Sequence, residues 1–111
     1  MEDSILNSIK KLLGIDEYYT QFDADIIMHI NSVFMILTQI GAGPENGFSI
    51  IDKTNTWKEF IQNENTIEAV KSYMYLKVRI LFDPPTSTAV MDSMNRSINE
   101  LEWRIQAAVD R

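Results

Sequence analysis

Between Asp25 and Glu45 the chain carries no Asp, Glu, Lys or Arg. A stretch of that length without formal charge has two uses: a helix across a bilayer, or a helix in unusually dry surroundings. A membrane span needs about 20 predominantly apolar residues. This stretch holds His29, Asn31, Ser32, Thr38 and Gln39, then breaks at Gly41 and at Gly43-Pro44. It reads as a soluble helix, with no membrane as partner.

The pattern around it is helical. Asp23 is placed to cap the helix, Asp25 adds charge to its first turn, and Phe22 and Ile27 stand at hydrophobic-staple spacing. At about 100° per residue, Ile26, Ile30, Val33, Phe34, Leu37 and Ile40 form the buried stripe. The opposite side carries Asn31, Ser32, Thr38 and Gln39 with Met28 and Met35 among them, polar but uncharged. Solvated helix faces normally carry charge, so a second partner is expected to cover this one.

Four further segments follow the same logic. Ile5, Leu6, Ile9, Leu12 and Leu13 predict a first helix from Asp3 or Ser4 to Leu13, with Lys10 and Lys11 opposing its dipole and Gly14 stopping it. Gly41 to Asn55 reads as loop, within which residues 48–51 could be extended. A short helix near Thr56–Gln62 would bury Trp57, Phe60 and Ile61. The next is expected to start at Asn65, where Asn65-Thr66-Ile67-Glu68 has capping-box form, and to end at Asp83 before Pro84-Pro85. It has two apolar stripes: Ile67, Val70, Met74, Val78 and Leu81, and Ala69, Tyr73, Leu76 and Ile80. A helix apolar on two sides is central or shared between subunits. The last helix runs from Thr86–Thr88 to the end of the chain, burying Val90, Met94, Leu101, Ile105 and Ala108 with Ile98 beside them. Asp92, Arg96, Glu100 and Arg104 form its solvated ladder, and Trp103 projects onto that charged side.

The fold class is therefore all-α: four to five helices around a single core, with a long C-terminal helix, in one domain spanning 1–111. With 111 residues, 45% of them hydrophobic and 23% charged, such a domain should bury roughly 65% of its unfolded surface. The net charge of −6 and the scattered basic residues argue against nucleic-acid binding, which needs cations gathered on one face. No Cys is available for disulfides or thiolate metal sites, and the acidic Met1-Glu2-Asp3-Ser4 start is not that of a signal peptide.

Catalytic equipment is missing. His29 is the sole histidine, with Ser32 and Val33 where a metal site would need ligands. No Gly-x-Ser-x-Gly elbow or phosphate loop occurs, and Glu100 and Glu102 point from different helix faces. The expectation is a non-enzyme without metal or cofactor. The informative residues are apolar ones that one small core does not easily absorb: Met28, Met35, Tyr73, Leu76, Ile80 and Trp103, all candidates for protein interfaces. Met28 and Met35 either pack on the chain's own loop or first helix, or form an adaptable partner surface. Trp103 either stacks on Arg96 and Asn99 or anchors a subunit contact.

In order and spacing, the chain resembles the head–tail connector (adaptor) proteins of long-tailed phages and prophages. The resemblance rests on Phe22-Asp23 before the uncharged helix, Ile40-Gly41-Ala42-Gly43-Pro44, Gly47-Phe48 and Trp57-Lys58-Glu59-Phe60. It continues through Val70-Lys71-Ser72-Tyr73-Met74-Tyr75-Leu76-Lys77-Val78-Arg79, Phe82-Asp83-Pro84-Pro85 and Glu100-Leu101-Glu102-Trp103-Arg104-Ile105, covering nearly the whole chain. It implies a helical structural subunit of the virion neck, assembled in the host cytoplasm into a ring, typically twelvefold in the virion. The ring would dock on the portal protein and meet a downstream neck or tail-completion protein. Phage DNA would pass through its channel without specific binding. Relatives often dock with a C-terminal segment, whereas this sequence reaches Arg111 directly after its last helix, so that helix or another part is expected to dock. Two rivals remain: a small helical regulator such as a phage-encoded inhibitor, which would bind one partner without forming a ring, and a stopper or tail-completion protein, which should be richer in β-structure.

Overall fold

Two caps hold the first apolar stripe in place. Ser4 Oγ accepts the Asn7 backbone N–H at 3.2 Å, and Gly14 turns left-handed at φ 82°, which fixes α1 as Ile5–Leu13. The computed structural model describes residues 3–109, so the readings made for Met1, Glu2, Asp110 and Arg111 lie outside the described residues. The remaining elements are α2 (Asp23–Ile40), α3 (Trp57–Phe60), α4 (Glu64–Phe82) and α5 (Thr88–Val109). The all-α architecture with a long last helix is as the sequence predicts.

Two caps differ from expectation. Asp23 is the first residue of α2, and Phe22 occupies the cap position without a side-chain bond. The Asp23 carboxylate is engaged elsewhere, 2.8 Å from Lys10 Nζ. α4 is capped by Asn63, whose Oδ1 accepts the backbone N–H groups of Asn65 and Thr66 at 3.0 and 3.3 Å, so Asn65 lies inside the helix. The short α3 has the better box, since the Glu59 carboxylate accepts the Thr56 N–H at 3.3 Å.

α4 is the centre of the arrangement. Phe22 and His29 at the start of α2 meet Phe82 at the end of α4, with ring centroids 5.4 and 6.5 Å apart, so the two helices run antiparallel. α5 returns along α4, tied to it where the Tyr73 hydroxyl donates to Glu102 Oε2 at 2.7 Å. α1 packs against α2 and α4. Its start is fastened to α4 by Lys71, 2.7 Å from Asp3 Oδ2, and to α3 by the backbone bridge between Ser4 and Thr56.

The loop after α2 closes the core. Phe34 packs its ring on Phe48 and Phe60 at 5.0 and 4.7 Å, and the buried Trp57 donates Nε1–H to Ser8 Oγ at 3.2 Å. Gly43 is required here: at φ 78° a Cβ would stand inside the Phe60 ring. Residues 48–51 form no strand. Ile50 is pinned instead by Asn31, whose side chain accepts its N–H at 2.8 Å and donates to its carbonyl at 3.1 Å.

The buried face of α1 is shifted from its predicted position, and that of α5 is where the periodicity puts it but narrower and shorter. Leu12, central to the predicted α1 stripe, is 52% exposed, while Lys10 is fully buried. The 15–21 connection folds over the Lys10 side, because its carbonyls at Glu17 and Tyr19 accept from the ammonium at 3.0 and 2.7 Å. On α5 only Ile98 and Ile105 are fully buried, Val90 and Ala108 being exposed. α5 lies chiefly against α4, and a helix with one packing neighbour buries a narrow stripe.

Candidate assembly surfaces

The uncharged side of α2 divides in two. Asn31 is consumed by the chain's own loop, and Thr38 Oγ1 and Ser32 Oγ donate back to the Phe34 and Met28 carbonyls at 2.9 and 3.0 Å. The hydroxyls are thus satisfied within the helix, and no charge is needed to solvate the face. Met28 and Met35 remain outside it, 57% and 66% exposed. The loop does not cover them.

The second stripe of α4 lies mostly inside the fold. Tyr73 is fully buried and bonded to Glu102, so in the folded chain it presents no surface to a second subunit. Burial, and then the neighbouring Glu102 carboxylate, push its phenol well above the ordinary range for tyrosine. Leu76 and Ile80 are half-buried against the core. Ile80 also helps to floor a groove of about 410 Å³ between α2 and α5, with Val33 and Ile36 on one wall, Leu81 and Lys77 along α4, and Ile98 on the other wall. Of the six candidates, Ile80 lines this groove, and Met28 and Met35 stand one turn either side of Ser32 on its α2 edge. Trp103 follows Asn99, on the α5 edge, by one turn.

Trp103 is 69% exposed, as its place opposite the core stripe predicts. Beside it Arg104 Nη2 pairs with Glu100 at 2.8 Å. The cation–π contacts among the described residues belong to Lys71 over Trp57 and Lys77 over Tyr73, not to Trp103. Arg96 is not stacked on it.

Sequence reasoning missed the Lys10 site. The ammonium holds two carbonyls and stands 2.8 Å from Asp23 Oδ1, a close ion pair without hydrogen-bond alignment. Lys10 borders the Leu6 edge of the α1 stripe, and that adjacency was the available signal. Tyr18 and Ile51 were also passed over, yet they are 83% and 81% exposed. Their loops are ordered by Asx-type bonds: Asp16 Oδ1 accepts the Tyr18 N–H and Asn55 Oδ1 the Ile51 N–H, both at 2.8 Å. Hydrogen bonds from the Thr54 hydroxyl and N–H hold the Asp52 carboxyl below its ordinary value. Among the described residues no three His, Cys, Asp or Glu side chains gather as metal ligands, and no helix is long and apolar enough to cross a membrane.

The family of phage connector proteins matches over residues 5–111. The chain belongs to the phage connector protein family. No curated protein and no solved structure matches it. This connector is accordingly a structural phage protein, from a family that is not enzymatic, and a component of the virion. Its functional chemistry is that of surfaces, so Met28, Met35, Trp103 and the α2–α5 groove are its candidate working parts.

Proposed function

We propose that this connector is the subunit of a homo-oligomeric ring in the virion neck, which docks on the portal protein and extends the DNA channel toward the tail. A downstream neck or tail-completion protein would bind its far side, and twelve copies would match the symmetry usual for such rings. The observation that carries the reading is the set of large apolar side chains left on the surface of a folded chain, Met28, Met35 and Trp103, in a member of a connector family. Trp and Met are enriched at interface cores, and an apolar rim around a groove is the kind of surface that assembly covers.

DNA passing through such a ring must slide. A basic lumen would bind phosphates and hinder it, and the net charge of −6 with cations scattered along the chain and none on α2 opposes that. The test is to mix purified connector with portal assemblies and image the complex by electron microscopy. Rings stacked coaxially on portals are expected. A one-to-one complex with some other partner and no ring would instead favour the regulator. A band-shift assay at low salt should give no tight duplex binding, and salt-sensitive micromolar binding would contradict the passive channel.

A further inference from the structure

We propose that neighbouring copies of this chain pair head to tail, with Tyr18 and Ile51 of one copy seated in the α2–α4–α5 groove of the next. The proposal rests on the ring reading and specifies which two faces meet.

Tyr18 and Ile51 have the highest exposure among the large hydrophobic residues on the surface, at 83% and 81%. Neither dangles. Lys10 holds the carbonyls on both sides of Tyr18, at Glu17 and Tyr19, and Asn55 holds the Ile51 N–H. Pre-ordered apolar projections lose little entropy on docking. They also belong to one surface. Tyr18 and Thr20 face Asp52 and Thr54 across a shallow cleft floored by Leu6 and Ile27, and Ile51 adjoins Asp52.

That surface and the groove lie on opposite sides of the molecule. Lys71 reaches Asp3 at the start of α1, and Tyr73 reaches Glu102 on α5. Two residues along a helix differ by about 200°, so α1 and α5 flank α4 from nearly opposite directions. The 51–55 loop stays on the α1 side, because the Ile5 N–H donates to the Asn55 carbonyl at 3.0 Å.

Charge decides between the two ways of pairing. The projections are bordered by Asp16, Glu17 and Asp52 against Lys11 and Lys53, a net negative balance, so joining that surface to itself would bring an excess of carboxylates together. The groove carries no such negative excess. Lys77 on its wall has no carboxylate within ion-pair distance among the described residues, and Glu102, the one carboxylate in its lining, keeps its charge but holds the buried Tyr73 hydroxyl, so a carboxylate arriving from the next copy meets an ammonium without an ion-pair partner. A projection on one side and a different, complementary groove on the other make a heterologous contact, which closes into a ring when its rotation allows.

The absence of Cys makes the pairing directly readable. Ile51→Cys and Leu81→Cys are made separately in the full chain, at positions 81% and 50% exposed, and assembled with portal. A short bismaleimide is then added, while native mass spectrometry reports whether rings are present. The mixture of the two variants should give at least several-fold more cross-linked dimer than either alone. Rings without mixed cross-links overturn the pairing and leave the ring reading standing. Cross-linking of Ile51→Cys with itself at the mixture's level overturns it in favour of a two-fold contact. Absence of both rings and cross-links overturns both readings. In a second arm Lys77→Glu should lower the ring fraction several-fold, and Glu17→Lys in the same chain should restore it. Failure of that rescue also overturns the pairing.

Discussion

The Lys10 ammonium lies 2.8 Å from Asp23 Oδ1, inside the fold, and joins the end of α1 to the start of α2. Its side chain is fully buried, and it donates its other hydrogen bonds to the Glu17 and Tyr19 carbonyls. One side chain therefore sets the path of the whole 15–21 connection. Replacing it by Met keeps the aliphatic stem but orphans two carbonyls and a carboxylate. Removing one partner of a buried pair costs about 3–5 kcal/mol, and Asp23, at 25% exposure, can recover part of that from water. Lys10→Met should lose about 2–4 kcal/mol in denaturant unfolding. An unchanged midpoint would mean the clamp contributes nothing.

How much of this was legible beforehand follows from what sequence patterns encode. Helix number, the Gly14 and Pro84-Pro85 stops and the stripe Ile26–Leu37 were legible because each depends on local periodicity or on one residue's backbone. The Lys10 clamp was not, because its partners come from a loop, and loops leave no periodic trace. Periodicity makes Tyr73 a surface candidate because its stripe is apolar. The structure buries it because Glu102, 29 residues away, supplies the acceptor its hydroxyl needs. Met28, Met35 and Trp103 stand opposite core stripes and are exposed, but for the two methionines periodicity alone leaves packing on the chain's own loop equally open, because a loop's path leaves no periodic trace.

The Tyr73–Glu102 bond makes a prediction about alkaline pH. Tyr73 holds its proton more tightly folded than unfolded, so the folded chain binds more protons once the pH passes the unfolded value near 10. Stability from this group is fully present below about pH 10 and declines as the pH rises toward the folded value. Tyr73→Phe should lose about 1.5–3 kcal/mol at neutral pH, the range for a hydrogen bond to a charged group. Its stability should then fall less steeply than the parent's above pH 10. Equal slopes in urea titrations across pH 9–11 would assign the alkaline loss to other groups.

Gly43 and Gly14 share a left-handed backbone, φ 78° and 82°, but differ in their surroundings. Nothing lies within 4 Å of a Cβ at Gly14, whereas at Gly43 it would collide with the Phe60 ring. Gly14→Ala should cost only the conformational term, about 1 kcal/mol. Gly43→Ala adds displacement of a ring packed on Phe34 and Phe48, and should cost about 2 kcal/mol or more beyond that. Similar melting temperatures for the two variants would show that the loop yields without disturbing the core.

Trp103 separates folding from assembly. At 69% exposure its indole contributes little to the isolated chain, and none of the described aromatic or cation–π contacts involves it. Trp103→Ala should therefore leave the monomer folded, with its melting temperature lowered little. On docking, a buried aromatic anchor is worth ~2 kcal/mol or more, so the same change should weaken assembly onto portal by roughly thirty-fold or more. Arg96→Glu, a surface charge change, should be milder, since exposed ion pairs contribute ~0–1 kcal/mol. The two measurements are the melting curve of the free chain and the fraction bound to portal in sedimentation. Unfolding of the free Trp103→Ala chain would place the indole among stabilising contacts. Normal folding together with normal docking would remove Trp103 from the interface and leave Met28, Met35 and the groove to carry it.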